Sequence, residues 1–239
     1  DALDHVLTEV ASERIGTVCA GRTDAGVHAL AQVVHFDTTA QRPLTAWTRG
    51  SNALLPDGVA VNWAMQVAND FHARFSATGR RYVYWLINRP QRPGLMHQRV
   101  GWFHRSLDVD AMRQAARCMI GEHDFSAFRA AECQAKSPVK VLRELQITRR
   151  GEAIRFEFAA DAFVQHMVRN IVGSLVYVGS GRQPPGWMDE LLQSRDRTRA
   201  APTFSPTGLY LAAVDYDAAW ALPPRPDVEA VEHVMLAGV

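Results

Sequence analysis

Asp24 is the acid of this chain best placed to act on a substrate. It stands in the string Gly21-Arg22-Thr23-Asp24-Ala25-Gly26-Val27-His28-Ala29, two residues from Arg22 and between two glycines. Glycine admits backbone conformations that other residues resist. The apolar run that precedes the loop, residues 15–20, reads as a strand. A carboxylate at the end of a strand, on a glycine-bounded turn, is presented rather than hidden. Such a group can serve as a nucleophile. Burying such a charge is costly unless a cation such as an arginine stands beside it. Taken alone, an aspartate in a turn is more often an Asx-turn acid or a helix cap.

The elements that must hold this loop follow from the hydrophobic pattern. Residues 1–11 form the end of an amphipathic helix through Leu3, Val6, Leu7 and Val10. A second strand, centred on residues 32–36, leaves the Asp24 loop. A helix is expected over 44–54, a turn at Pro56-Asp57-Gly58 and a strand over 59–67. In the strand at 80–88 a period of two places Arg80, Tyr82, Tyr84 and Leu86 on one face and Arg81, Val83, Trp85 and Ile87 on the other. A Pro/Arg-rich break at 89–93 divides the chain into halves, 1–90 and 91–239, that act as one continuous catalytic unit. In the second half Asp108 caps a helix ending near Gly121, with Val109, Met112, Ala116 and Met119 as its stripe. Residues 141–148 and 153–158 make a hairpin, 163–178 a long apolar helix, 184–192 a short one, and 209–216 a closing strand. The Pro-rich tail after Trp220 is expected to be loosely attached. Strands that cluster as hairpins predict an α+β fold. Two similar α/β halves would surround an extended, mostly antiparallel sheet, with helices on one face and a cleft between the halves.

Composition narrows the classes. A chain of 239 residues suits one large domain or two small ones around a shared core. No apolar run is long enough to span a bilayer, and no secretory leader is visible, although the chain does not open on Met. Net charge is +1, yet of 26 Lys and Arg residues only Lys136 and Lys140 are lysine. Arginine suits bidentate phosphate contacts and stacking on bases; biased coding toward Arg accounts for the composition equally well. Cys19, Cys118 and Cys133 are widely spaced and odd in number, which fits a reducing cytoplasm and neither a disulfide framework nor a zinc site. His28 and His35 are expected on opposite faces of one strand, and His166 on a helix surface or against RNA. No phosphate-binding or dinucleotide fingerprint is present.

Four motifs, in order, carry a resemblance. The Gly21–Ala29 string resembles the catalytic loop of the tRNA pseudouridine synthase A (TruA) family, in which the Asp is the nucleophile. Phe71-His72-Ala73-Arg74-Phe75-Ser76-Ala77 followed by Arg80-Arg81-Tyr82-Val83-Tyr84 resembles a second signature, whose first Tyr contacts the target base and so points to Tyr82. Phe163-Val164-Gln165-His166-Met167-Val168-Arg169-Asn170-Ile171-Val172-Gly173 is similar to a third, whose Arg pairs with the Asp and so points to Arg169. Gly208-Leu209-Tyr210-Leu211 matches a fourth, whose Leu lines the pocket and so points to Leu209. Members of the family usually begin with a strand and a Tyr-Asp-Gly/Gly-Trp-Gln segment; this sequence starts inside the helix that follows.

The resemblance implies isomerisation of uridine to pseudouridine at positions 38, 39 and 40, in the anticodon stem-loop of tRNA, by a cytoplasmic homodimer. The N1 bond to the sugar is broken, the base turned and rejoined through C5. No electrons leave and no water is consumed, so no cofactor or metal is required. Asp24 can attack at the sugar C1′ or at C6 of the base, and the sequence does not choose between them. Arg169 would aim the carboxylate. Tyr82 would stack on the extruded base, returning about 1–3 kcal/mol against an extrusion cost of a few kcal/mol. Arg22 would fill the gap left by the flipped nucleotide or hold a phosphate, and Leu209 would wall the pocket. Arg80 and Arg81, with Arg74, Arg89, Arg92, Arg195, Arg197 and Arg199, are candidates for a phosphate track. The alternatives are a synthase of the same family with other tRNA targets, a non-catalytic tRNA-binding or folding protein, and a carboxylate-based nucleoside hydrolase. The last would need a second acid, for which Asp37 is the near candidate in sequence.

Overall fold

The computed structural model describes residues 2–225 and 227. In chain order the elements are α1 (Ala2–Ala11), β1 (Val18–Cys19), β2 (His28–Ala29), β3 (Val34–His35), α2 (Ser51–Leu54), β4 (Ala77–Asn88), β5 (Gly101–Phe103), α3 (Val109–Ala116), β6 (Gly121–Asp124), β7 (Val139–Arg150), β8 (Ala153–Ala160), α4 (Met167–Gly179), α5 (Trp187–Ser194) and β9 (Leu209–Tyr216). The chain divides into two compact units. The first holds residues up to Arg22, Gln32–Thr78 and Tyr216–Pro224; the second holds Thr23–Ala31 and Gly79–Asp215.

In the first unit α1 buries Leu7 and Ala11 with Ile15 and Trp47. Only the end of the expected strand at 15–20 pairs: β1 runs antiparallel to β3, with Val18 opposite His35 and Cys19 opposite Val34. The helix at 44–54 forms, but its middle, Ala46–Gly50, winds as a π-helix before α2. Residues 59–67 are not a strand. The Asn52 side chain takes the place of a neighbouring strand there: its Nδ2 donates to the Val61 carbonyl at 2.9 Å and its Oδ1 accepts from the Val61 N–H at 2.7 Å.

The second unit is built on a seven-stranded sheet in the order β2-β9-β4-β8-β7-β6, with β5 also paired to β4. β4 and β8 run antiparallel from Arg80–Ala160 to Ile87–Ala153, and β7 and β8 form the expected hairpin. β2 lies parallel to β9, and β5 to β4. The fold is therefore α+β with a large, mostly antiparallel sheet. The alternation of β4 sends Tyr84 and Leu86 into a core shared with Phe156 and Phe158 of β8 and the apolar faces of α3, α4 and α5. Val83, Trp85 and Ile87 take the other face, against Val100, Tyr210 and Ala212. Asp108 caps α3, its Oδ1 accepting from the Asp110 and Ala111 N–H groups at 2.9 Å each.

Two further expectations need correction. The helix expected at 163–178 begins at Met167, because His166 takes a left-handed backbone (φ +64°) that no right-handed helix contains. His28 and His35 do not share a strand: they fall in β2 and β3. The tail beyond Asp227 lies outside the described residues. Among the described residues no helix is long and apolar enough to cross a membrane.

Candidate active site

The Asp24 loop belongs to the second unit. The Asp24 carbonyl accepts from the Val27 N–H at 3.0 Å, closing a turn just before β2. Gly26 adopts φ +81°, and a Cβ there would stand 3.1 Å from Pro206, so both conformation and space call for glycine. The pairing of His28 with Tyr210 and of Ala29 with Leu211 then ties the loop to β9.

Opposite the loop is the N-terminus of α4. Arg169 Nη1 donates to Asp24 Oδ2 at 2.8 Å, across 145 residues of sequence. His166 Nε2 lies 3.1 Å from the same oxygen. His166 is the N-cap of α4 and Arg169 its third residue, and side chains three apart on a helix share a face. Among the described residues Oδ1 receives no hydrogen bond. The carboxylate is thus held by one oxygen and open at the other. Its side chain is 29 % exposed against 13 % for Arg169, so the charge is partly desolvated and its partner more so.

Both partners are themselves constrained. Arg169 Nε donates to the Phe204 carbonyl at 2.9 Å, and the Phe204 N–H returns to the Arg169 carbonyl at 3.3 Å. The guanidinium is therefore fixed at two points, the fork geometry that distinguishes Arg from Lys. The chain entering His166 is tied by the Ala130 N–H to the Gln165 carbonyl (3.0 Å) and by the Gln165 N–H to Cys133 Sγ (3.3 Å). Burial would raise the Cys133 thiol. Bonds from the Ala135 and Gln165 backbone and the Arg129 guanidinium outweigh it and hold the pKa below its ordinary value.

Tyr82, half-buried on β4, packs edge-to-face against Phe163 with ring centres 5.0 Å apart. Phe163 precedes His166 by three residues, so one short segment carries both the Tyr82 contact and an Asp24 contact. Leu209 opens β9 and is buried in the main core. Arg80 Nη1 donates to the Asp161 carbonyl at 3.1 Å. Arg81 faces Glu144 at 3.1 Å and Asp215 at 3.7 Å, on the sheet face opposite Tyr82. Arg22 is exposed and ends a segment of the first unit, one residue before the second unit begins. Asp37 lies in the first unit. Arg89 pairs with Glu152 at 3.0 Å. Arg197 is not a free phosphate ligand: it donates to Asn170 Oδ1, Thr203 Oγ1 and the Ala201 carbonyl, and desolvation lowers its pKa.

His166 is the functional candidate that sequence reasoning placed elsewhere. Its spacing of three residues to Arg169 is the usable signal, since an expected helix over 163–178 already puts the two on one face.

The comparisons with known proteins give the family. The family model described as tRNA pseudouridine synthase matches residues 2–76 and 115–217. Relatives named tRNA pseudouridine synthase A include one from Dechloromonas aromatica, 60% identical over 93% of this chain and 85% of its own length. Another, from Nitrosomonas eutropha, is 60% identical over 92% and 80%. A third, from Chromobacterium violaceum, is 58% identical over 94% and 86%. The chain belongs to the tRNA pseudouridine synthase family, enzymes that isomerise uridine within tRNA.

Proposed function

We propose that this enzyme forms pseudouridine at positions 38, 39 and 40 of the anticodon stem-loop, with Asp24 as nucleophile. The observation that supports this reading most is the one-sided hold on Asp24. Arg169 and His166 occupy Oδ2 while Oδ1 keeps its lone pairs. A nucleophile must be aimed without being capped, and this arrangement does both.

In this reading Oδ1 attacks C1′ of the ribose or C6 of the base. The N1–C1′ bond breaks, the uracil turns, a C5–C1′ bond forms, and the bond between Oδ1 and the substrate is broken, which returns the free carboxylate. The C5 proton departs and N1 regains one, so the product is an isomer of the substrate. Tyr82 stacks on the extruded base. Leu209 walls the pocket and keeps out water, which would otherwise capture the sugar and leave an abasic site. Arg22 fills the place of the flipped nucleotide or holds a phosphate, and Arg80 and Arg81 steer the backbone. Asp24 comes from the 1–90 half and Arg169 from the 91–239 half, which makes the two one catalytic unit. The enzyme works in the cytoplasm as a homodimer, without a cofactor.

The test is to incubate the protein with unmodified tRNA and map pseudouridine by carbodiimide–primer extension. Stops at 38, 39 and 40, lost in Asp24→Ala with tRNA affinity kept within about tenfold, are expected. Stops elsewhere would assign a family member with other targets. Full activity of Asp24→Ala would remove the nucleophile.

A further inference from the structure

Segment 202–208 touches both the Asp24 loop and the helix that carries Arg169. Its Phe204 carbonyl holds Arg169 Nε. Its Pro202 lies against α4 at Gly173, where a Cβ would come within 2.6 Å of the Pro202 carbonyl oxygen. Its Pro206 packs on Gly26, two residues from Asp24. The segment is thus a strap that registers the Asp24 loop against the helix bearing Arg169.

Thr207 ties the strap to the Val100 carbonyl at 3.0 Å, just before β5, and a fully buried side chain fastens it to β4. Tyr84 of β4 donates its hydroxyl to the Ser205 carbonyl at 2.8 Å, and the phenol also engages the backbone of Gly208. Its ring meets Phe204 edge-on, with centres 5.8 Å apart. Gly101 and Gly208 leave the room: a Cβ on either would overlap the Tyr84 side chain. A phenylalanine would fill the same apolar volume. Burying a hydroxyl costs free energy unless it is bonded, and these bonds all lead to the strap. Burial pushes the phenol pKa far up, against the pull of the Arg169 charge, so it remains a donor throughout the pH range of a folded protein.

We propose that Tyr84 is a positioning residue for the reaction, acting on the Asp24–Arg169 pair through segment 202–208. The proposal rests on the reading of Asp24 as nucleophile, and its test separates the two. The full-length enzyme, in excess over unmodified tRNA, is assayed for the rate of total pseudouridine formation as Tyr84→Phe, Gly173→Ala, Phe156→Leu and Asp24→Ala. Misplacement of a reacting group by about 1 Å can cost about 100-fold. Tyr84→Phe and Gly173→Ala are expected to slow the reaction about 10- to 100-fold while tRNA affinity stays within about threefold. Phe156→Leu removes packing from the same core without touching the strap; it is expected to lower Tm and keep the wild-type rate. A wild-type rate in Tyr84→Phe, or one reduced only as far as in Phe156→Leu, overturns the proposal. Activity in Asp24→Ala would instead overturn the nucleophile. The Arg169 Nε–H resonance then decides on its own: wild-type shift and exchange protection in Tyr84→Phe would refute the positioning role, and loss of both would sustain it.

Discussion

If Asp24 is the nucleophile, its hold at Oδ2 leaves Oδ1 as the atom that attacks. Arg169→Lys keeps the charge but replaces the two nitrogens that separately reach Phe204 and Asp24 with a single, less directional ammonium. Its pseudouridine formation is expected to fall about 10- to 100-fold in single-turnover assays, with tRNA affinity unchanged. His166 allows a sharper separation, because it combines a side-chain role with a backbone cost. Non-glycine residues in the left-handed region carry roughly 1–3 kcal/mol of strain, which glycine escapes. His166→Gly is therefore expected to hold or raise Tm while slowing catalysis about tenfold. Thermal denaturation beside a single-turnover assay checks both, and a parallel fall of the two would show that the residue serves the fold alone.

Elements with a strong period were legible in the sequence, and those fixed by a single side chain were not. β4, the β7–β8 hairpin and the Asp108 cap follow from alternation and cap chemistry, and β9 from its apolar run. The start of α4 does not, because the apolar run continues back through Phe163 while the backbone at His166 turns left-handed. The contact between Asp24 and Arg169 was available through the family motifs and not through periodicity, since 145 residues separate the two. Segment 202–208 carries no periodic signal at all. Residues 59–67 form no strand, and there the Asn52 side chain takes both the N–H and the carbonyl of Val61, a tether no periodicity announces. A similar side-chain tether fixes residues 38–40 to α1's exit. The Glu13 carboxylate accepts from the Thr38 and Thr39 hydroxyls and the Thr39 and Ala40 N–H groups. These bonds, led by the Thr38 hydroxyl, lower its pKa to about 2. A depressed carboxylate stabilises the fold above its unfolded pKa and loses that contribution as pH falls through the folded one. The Tm difference between wild type and Glu13→Gln is therefore expected to be full at pH 7 and to shrink as pH falls from 4.5 toward 2. A difference that persists undiminished at pH 2 would exclude the tether.

At the scale of the molecule, a net charge of +1 means that tRNA affinity must come from where the arginines stand and not from how many there are. The structure sorts them. Arg197 is bonded into the interior around Asn170, and Arg81 and Arg89 face carboxylates. Arg92 and Arg199 are exposed. Each phosphate neutralised contributes about 0.7–0.9 to the slope of log K against log salt. If Arg92 and Arg199 each meet a phosphate, the double variant Arg92→Gln/Arg199→Gln is expected to flatten that slope by about 1–2 and leave Tm unchanged. Arg197→Gln is expected to behave in the opposite way. It removes bonds to Asn170, Thr203 and Ala201, and so lowers stability by about 1–3 kcal/mol while the slope stays at the wild-type value. Filter binding of tRNA across a salt series, with thermal denaturation of the same samples, measures both quantities. A slope that responds to Arg197 and ignores the exposed pair would mean that the RNA reaches the α4 side of the second unit, and that the exposed arginines serve only solubility.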